Sequence, residues 1–308
     1  MKRILAILIV AAVPFPALAQ GTAMDFIRAD RNPATLAAAG AGYASLSSGT
    51  AFSAFGNPAL VALSEGTLDA AGVFGLAPSG DGHSTFYGGG ASVRLGGFGI
   101  SAGYLGGGYP EIPLSSEGGG ASGKFAPRDM QAGLGLSFAI GDFLSMGALA
   151  RYVTSALDSK TTLKSFSADV SALFRKDALS VSAGVIGLGP KVASVGNRSY
   201  SLPASAKLAA AYGLGFGDFS VDLMADADYY FSGNFSAAAG VQGSFKDMVF
   251  VRTGYRYAGA KGNFSAAPVP SFFSAGAGLK LYGVKLDLAA VFGSAVGSTL
   301  ALSLGYAF

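Results

Sequence analysis

Three aspartates on one face of a predicted β-strand are the residues best placed to do chemistry. Asp222, Asp226 and Asp228 alternate with apolar residues between Phe219 and Phe231, so their side chains point to the same side. Asp226 and Asp228 are two residues apart, which separates their side chains by about 7 Å. Carboxylate oxygens at this spacing could bind a hard cation such as Ca²⁺. Pairing with basic side chains is the favoured alternative, because an unpaired charge in a narrow interior is costly.

Basic residues stand on the same predicted face of nearby strands. Lys207 lies on the preceding strand, and Arg252 and Arg256 lie on the second strand after the aspartates. The strand between them presents only small or neutral groups to this face. We therefore predict an interior charge cluster and neither a metal ion nor a cofactor. Its members are Asp222, Asp226, Asp228, Arg252, Arg256 and Lys207.

Catalytic chemistry has little support in the sequence. His83 is the single histidine, and it lies at the edge of a predicted loop, where a solvated side chain is the favoured interpretation over a catalytic triad or a metal ligand. The glycine runs 88–90 and 106–108 do not open a helix and so are not phosphate-binding loops. The absence of cysteine excludes disulfides and thiol chemistry. We expect no catalytic residues and a protein that is not an enzyme.

The first nineteen residues have the pattern of a secretory signal peptide. Lys2 and Arg3 precede an apolar run from Ile4 to Val13, and small residues before Gln20 suit cleavage there. A membrane helix is the alternative, but ten apolar residues cannot span a bilayer. No cysteine follows the cleavage site, which argues against a lipid anchor. We therefore expect an exported protein.

The composition is unusual for a water-soluble domain. Apolar residues make up 51% of the chain and charged residues only 13%, about half the usual charged fraction. After the signal peptide, no apolar run is long enough for a membrane helix. Without Lys2 and Arg3, the 21 basic residues fall to 19 against 18 acidic ones, and no basic patch suggests nucleic-acid binding. These features favour a membrane β-barrel, whose apolar residues are dispersed at every second position.

The final segment shows this alternation most clearly. Leu304, Tyr306 and Phe308 share a large apolar face with other outward positions, while the opposite face carries only Ala, Ser, Thr and Gly. A small, weakly polar face suits a crowded barrel interior. We interpret these three residues as the C-terminal insertion signal, read by the barrel-assembly machinery, and outer-membrane lipid as the environment of the barrel.

Similar runs recur along the chain from about residue 66 to residue 308, and we predict an all-β fold, a transmembrane antiparallel β-barrel of about fourteen strands. Six tight turns alternate with longer loops, notably 108–126, 189–202 and 260–269. Short turns are periplasmic in such barrels. We expect the termini on the periplasmic side or within the barrel, in the outer membrane. The predicted strands are 67–77, 83–95, 97–107, 127–140, 142–156, 160–175, 178–188, 203–216, 218–231, 234–246, 248–259, 270–281, 283–293 and 298–308.

Residues 20–65 lack this alternation. The segment is rich in Ala and Gly and carries the motif Asn57-Pro58-Ala59. It is too apolar for a disordered tail. We interpret it as a hatch inside the barrel, with a periplasmic arm as the alternative. We further hypothesise that Arg28 and Arg31 reach the three aspartates and hold the hatch in place.

Several segments resemble the PorV/PorQ family of outer-membrane proteins, which are similar to FadL-type barrels. The most specific are Phe55-Gly56-Asn57-Pro58-Ala59-Leu60 and Val251-Arg252-Thr253-Gly254-Tyr255. Weaker similarity lies at Asp25–Arg28, 38–44, Leu202-Pro203 and 274–278. The extracellular loops are shorter than the PorV pattern, and the Gly expected after Asn-Pro-Ala-Leu in the FadL-like pattern is absent.

The resemblance implies a fourteen-stranded barrel with a hatch and two classes of function. The first is a non-enzymatic accessory or docking subunit of type IX secretion, with secretion subunits or cargo C-terminal domains as partners. The second is a FadL-like transporter of hydrophobic small molecules. Inward faces of Ala, Gly, Ser and charged residues favour the docking role, because a transporter needs an apolar pocket.

Overall fold

The computed structural model describes residues 22–79, 82–115, 121–159, 161–193, 199–259, 270–293 and 297–308. The predicted signal peptide and the predicted loop 260–269 lie outside these residues. No helix in these described ranges is long and apolar enough to cross a membrane.

Fourteen antiparallel strands close into one barrel, which confirms the predicted fold class. Each predicted strand agrees with the observed one within two residues at both ends. The strands are β1 (Leu68–Ser79), β2 (Gly82–Leu95), β3 (Phe98–Gly108), β4 (Arg128–Ile140), β5 (Leu144–Ala156), β6 (Thr162–Lys176), β7 (Leu179–Leu188), β8 (Ser205–Phe216), β9 (Phe219–Tyr230), β10 (Phe235–Phe245), β11 (Val249–Gly259), β12 (Phe272–Leu281), β13 (Val284–Gly293) and β14 (Gly297–Ala307).

Pairing of the last strand with the first closes the ladder. β14 and β1 pair from Asp69 opposite Ala307 to Leu76 opposite Leu300. Closure gives every strand two neighbours and removes the unpaired edge that an open sheet would present. The tight turns join strands at one end of the barrel. At one of them, Tyr282 and Gly283 both have positive φ, 50° and 85°, the backbone conformation of a type I′ hairpin turn.

Alternation separates two surfaces of the wall. In β10, Ser236, Ala238 and Gln242 are buried inside the barrel, whereas Phe235 and Val241 are exposed outside. β14 has the same arrangement: its outward leucines and Tyr306, together with Phe308, are exposed. The barrel therefore presents a large apolar outer surface and a smaller, polar inner one.

The segment before β1 fills the barrel, which confirms the predicted hatch and excludes the periplasmic arm. It contains two short α-helices, α1 (Pro33–Leu36) and α2 (Ala59–Ala62), and 3-10 turns at Asp25–Arg28 and Ser53–Phe55. Two of the longer loops also carry small hairpins, Ile112–Ser115 with Ala121–Phe125 and Val192–Ala193 with Ser199–Tyr200.

Glycines in the wall allow the hatch to approach it closely. A Cβ on Gly90 of β2 would lie 2.2 Å from the carbonyl oxygen of Ala51, and one on Gly133 of β4 would lie 2.2 Å from that of Ala54. Backbone atoms of the hatch occupy this space, so a side chain there must displace them. The wall glycines thus set the position of the hatch.

We predict that Gly133→Val displaces the hatch. The new side chain overlaps the Ala54 carbonyl, and overpacking of this kind costs about 1–3 kcal/mol. Amide hydrogen exchange of residues 50–62 in the detergent-solubilised protein should become faster. Gly243→Val is the matched control, since a Cβ on Gly243 meets nothing within 4 Å. Equal exchange in the two variants would show that the close approach does not position the hatch.

Candidate functional site

Asp228 of β9 is the centre of a buried charge cluster between the hatch and the wall. Its Oδ1 lies 2.5 Å from Nη2 of Arg28, a hatch residue. Its Oδ2 lies 2.9 Å from Nζ of Lys207 and 3.7 Å from Nη1 of Arg256. All four side chains are at least nine-tenths buried. Burial alone would lower the pKa of Arg28, but the neighbouring Asp228 carboxylate raises it above its usual range.

Asp226 holds the backbone of the hatch. Its two oxygens accept hydrogen bonds from the amides of Gly42 and Tyr43, at 3.1 and 3.2 Å. Lys207 balances its charge, with Nζ 3.1 Å from Oδ2. Hydrogen bonds to a charged group are worth about 1.5–3 kcal/mol each, so this carboxylate is a strong attachment point.

Arg256 of β11 holds the hatch by donating hydrogen bonds to its backbone carbonyls. Its Nε donates to the Ala39 carbonyl at 3.1 Å, and its Nη2 donates to the Gly40 carbonyl at 3.3 Å. Nη1 donates to Ser236 of the wall at 3.0 Å. Gly40 has φ of 73° and a Cβ there would lie 2.7 Å from Nη2 of Arg256, so a side chain at this position would strain the backbone and displace the guanidinium.

The six predicted cluster residues do not form one cluster, and this expectation is corrected. Asp222 accepts a hydrogen bond from Gln242 at 2.8 Å, and Arg252 donates to the other end of the Gln242 amide at 2.6 Å. Arg252 pairs with Asp287 at 2.6 Å. Asp222 lies four residues before Asp226, and Arg252 lies four residues before Arg256. This offset separates the two groups, because it places Asp222 and Arg252 about 13 Å nearer the tight turns.

The expected contact of Arg31 with the aspartates is also wrong. Only Arg28 reaches them. The Arg31 guanidinium lies over the ring of Phe86 on β2, 4.4 Å from its centroid. The chain becomes extended at Ala29, after the first 3-10 turn, and this change of direction sends Arg31 towards another part of the wall. Burial lowers the pKa of Arg31.

The hatch motif joins parts of the hatch to each other and to the wall. Asn57 Nδ2 donates to the Tyr43 carbonyl at 2.6 Å and to Ser182 of β7 at 2.8 Å. Its Oδ1 accepts from the Ala59 amide at the start of α2, at 3.0 Å. Pro58 and Ala59 are buried. The motif therefore fixes the relative position of the two halves of the hatch.

Sequence reasoning missed a second buried ion pair. Arg151 of β5 donates to both oxygens of Asp169 on β6, at 2.8 and 2.7 Å, and its Nη1 donates to the Ile27 carbonyl at 3.3 Å. Asp169 also accepts from the Gly187 amide at 2.7 Å, where the register between β6 and β7 shifts. Both residues point inward and are buried, but their pairing across strands depends on register.

Lys285 and Asp69 are a further missed pair, with Nζ 2.6 Å from Oδ1. The other Asp69 oxygen accepts from the hatch amide of Thr50 at 2.7 Å. Lys285 alternates with the apolar residues of β13, so its inward direction follows from the sequence. Its partner does not, because Asp69 lies on the first strand and becomes a neighbour only when the barrel closes.

A cavity of about 130 Å³ lies between the hatch and the wall. Among its charged lining residues, Asp30 has a pKa raised by burial. A second cavity of about 480 Å³ lies at the tight-turn end and is lined by polar residues that include Asp222, Arg252 and Asp287. The charged lining residues of the first cavity are Arg28, Asp30, Arg31, Lys207, Asp228 and Arg256, and its large apolar ones include Phe52, Phe55, Leu60, Leu105 and Ile186.

Of the remaining predicted positions, Phe308 lines the second cavity, and His83, Leu304 and Tyr306 line neither. His83 is exposed on β2, opposite Pro78. Leu304 and Tyr306 of β14 point outward, and the Phe308 carbonyl accepts from the Leu68 amide at 2.9 Å. Within the described ranges, no group of three His, Asp or Glu side chains could hold a metal ion.

Comparison with solved structures shows the same fold in proteins of very different sequence. The CymD monoaromatic hydrocarbon channel superposes with a TM-score of 0.64 at 12% identity, over 90% of this chain and 96% of that chain. The Pseudomonas putida toluene transporter TodX gives 0.58 at 13% identity, over 83% and 92%. A Pseudomonas aeruginosa FadL homologue gives 0.56 at 12% identity, over 89% and 98%. The chain therefore has a FadL-like barrel fold. No family model matches the sequence, and no curated protein matches it.

We predict that Asp228→Asn releases the first part of the hatch. The change leaves Arg28, Lys207 and Arg256 with too little negative charge, and breaking a buried pair costs about 3–5 kcal/mol. Hydrogen exchange of residues 25–43 should accelerate markedly. Asp222→Asn is the matched control on the same strand, since Asp222 contacts Gln242 rather than the hatch. Unchanged protection in Asp228→Asn would contradict an electrostatic attachment.

Proposed function

We propose that the protein is an outer-membrane transporter of small hydrophobic molecules. The observation that carries the proposal is a closed barrel filled by an attached hatch, with a cavity between hatch and wall. Barrels with this fold include structures described as monoaromatic hydrocarbon channels and a toluene transporter. The apolar outer surface suits a lipid environment. We place the barrel with its tight turns facing the periplasm, as in other outer-membrane barrels. The C-terminal end of β14 then also faces the periplasm.

The N-terminal end of the hatch lies at the loop end of the barrel, opposite the tight turns. Thr22 forms a bridge with Ser201, and the Ala23 amide donates to the Ser201 carbonyl at 3.0 Å. Ser201 lies in the connection between β7 and β8, at the end opposite the tight turns. The hatch thus runs from the loop end of the barrel to the turn end. A solute entering at the loop end meets residues 22–31 first.

Transport by this barrel requires the hatch to move, because hatch residues fill the lumen. Arg28, Asp226 and Arg256 hold it at one side of the barrel, and Asp69 holds it near β1. Each contact is an ion pair or a hydrogen bond, which can exchange for water when the hatch shifts. A reversible cross-link between hatch and wall, which prevents this movement, therefore tests the proposal directly.

We predict that a disulfide between hatch and wall blocks transport. A Cβ on Gly240 would lie 2.8 Å from the Cβ of Ala38 and 2.7 Å from its carbonyl oxygen, so the hatch must shift locally before Ala38→Cys and Gly240→Cys reach the usual Cβ separation of about 3.5–4.5 Å. The chain has no native cysteine, so the cross-link is unique. Uptake of radiolabelled toluene by cells producing the oxidised double variant should fall to the background of cells lacking the protein, and reduction should restore it.

Ala38→Cys alone is the control and should remain insensitive to oxidation. Full toluene uptake in a completely cross-linked protein would contradict passage through the hatch region. Absence of toluene uptake by the unmodified protein, when the barrel is correctly inserted, would contradict the transporter proposal.

Docking in type IX secretion, as a PorV/PorQ-like accessory, is the second candidate. It is favoured by the inner faces, which carry buried ion pairs such as Arg151 with Asp169 rather than a continuous apolar channel. The fold comparisons favour the transporter. Affinity isolation of the full barrel from its native outer membrane separates the two: co-isolation of secretion subunits or of cargo C-terminal domains supports docking, whereas a lone barrel supports transport.

A further inference from the structure

The outer surface of the barrel carries very little charge. On the described parts of the fourteen strands, every carboxylate points inward, and the outward charged residues are three exposed cations, Arg128, Lys164 and Lys176. Lys176 ends β6 beside a tight turn. Arg128 begins β4, and Lys164 is the third residue of β6, so both lie at the loop end of the barrel. An otherwise uncharged outer surface thus has two cations at one end.

These two cations are close to each other, on the two strands that flank β5. Arg128 stands opposite Ala156 of β5, and Lys164 stands opposite Thr154 of the same strand. Two strand spacings and two residues along the strand separate them, which is about 12 Å between Cα atoms. The outward side chains between them are small. Both long side chains can therefore reach one group that lies outside β5.

Neither cation has an acidic partner among the described residues. The carboxylates nearest in sequence have contacts of their own. Asp129 points inward and accepts a hydrogen bond from Ser155 at 2.6 Å. Asp158, in the connection between β5 and β6, accepts from the Thr161 amide at 2.8 Å. Glu111 lies 3.6 Å from a lysine of its own loop. The positive charge on this part of the surface is therefore not balanced from within the described chain.

An aromatic pair marks the membrane interface next to the cations. Tyr152 of β5 stands opposite Phe166 of β6, and their ring centroids are 5.2 Å apart. Both rings are outward, and Phe166 is two residues further from the loop end than Lys164. Outer-membrane barrels carry aromatic girdles at the level where hydrocarbon meets headgroups. The two cations lie on the loop side of this pair, at the depth of the lipid headgroups.

We propose that Arg128 and Lys164 bind the phosphate groups of a lipid headgroup in the leaflet at the loop end of the barrel. Phosphate suits both side chains, because a guanidinium binds it through two parallel hydrogen bonds and an ammonium binds it as a point charge. Lipid is the partner that the position favours over an acidic protein, since the cations lie on the side of the wall, next to the girdle, and not on a loop. The inference needs the outer-membrane placement of the barrel but not the transport of solutes.

Native mass spectrometry of the full barrel in detergent tests the proposal. The probes are diphosphoryl lipid A and the same lipid with both phosphates removed. Each lysine or arginine near an anionic lipid contributes about fivefold to binding. The dephosphorylated lipid should therefore bind about 25-fold more weakly than lipid A. Inorganic phosphate should not displace lipid A at similar concentrations, because it has no acyl chains to lie on the outer surface.

Substitutions locate the site. Arg128→Gln and Lys164→Gln should each weaken the binding of lipid A about fivefold and leave that of the dephosphorylated lipid unchanged. Lys176→Gln is the matched control, since it removes the same charge from the outward face at the other end of β6, and it should leave both affinities unchanged. Lys164→Arg keeps the charge and should keep the affinity for lipid A. The comparison of the two lipids on the unmodified barrel decides the question even if a variant fails to fold.

Three outcomes would overturn the inference. Equal affinity for the two lipids would show that the cations do not recognise phosphate. Displacement of lipid A by inorganic phosphate would show a simple anion site, and an equal loss of binding in Lys176→Gln would show attraction by net charge alone. None of these results affects the uptake of toluene. Conversely, a barrel that binds lipid A through Arg128 and Lys164 but takes up no toluene would support the lipid site and contradict only the transporter.

Discussion

Pairing of every backbone donor and acceptor in the wall is the constraint on which the rest of the molecule depends. A β-sheet with an apolar outer surface cannot leave an edge unpaired in a lipid environment, and here β14 pairs with β1 to close the ladder. Closure gives the fourteen strands one common inner surface. It also encloses a lumen, and the hatch fills it. Gly90 and Gly133 allow the closest approach of hatch and wall.

Because the hatch fills the lumen, the charged residues between hatch and wall are buried and need partners. Hatch and wall cannot bury unpaired charges without a large cost, and Asp69, Asp169, Asp226 and Asp228 each have a basic partner. Asp226 accepts two hatch amides and Asp69 accepts one, while Arg256 donates to two hatch carbonyls. These contacts attach an irregular segment that has few backbone partners of its own. The same contacts can exchange for water or a ligand, which is the property that a movable hatch requires.

The ion pairs around Asp228 connect the fold to the proposed function. Arg28 of the hatch meets Asp228 of the wall, and Lys207 and Arg256 of the wall lie against the same carboxylate. A hatch that is attached through such polar groups can shift when they exchange their partners for water.

The sequence by itself determined the strands, their inward and outward faces and the hatch, because alternation with period 2 is a local property of each strand. It placed Asp222, Asp226, Asp228, Arg252 and Arg256 on the inner surface for the same reason. Only the tertiary structure decided which of them meet. Height along the barrel divides the predicted cluster into two groups, closure brings Asp69 to Lys285, and register brings Arg151 to Asp169. Arg31 turns to Phe86 because the hatch is irregular, and no periodicity predicts the direction of an irregular chain.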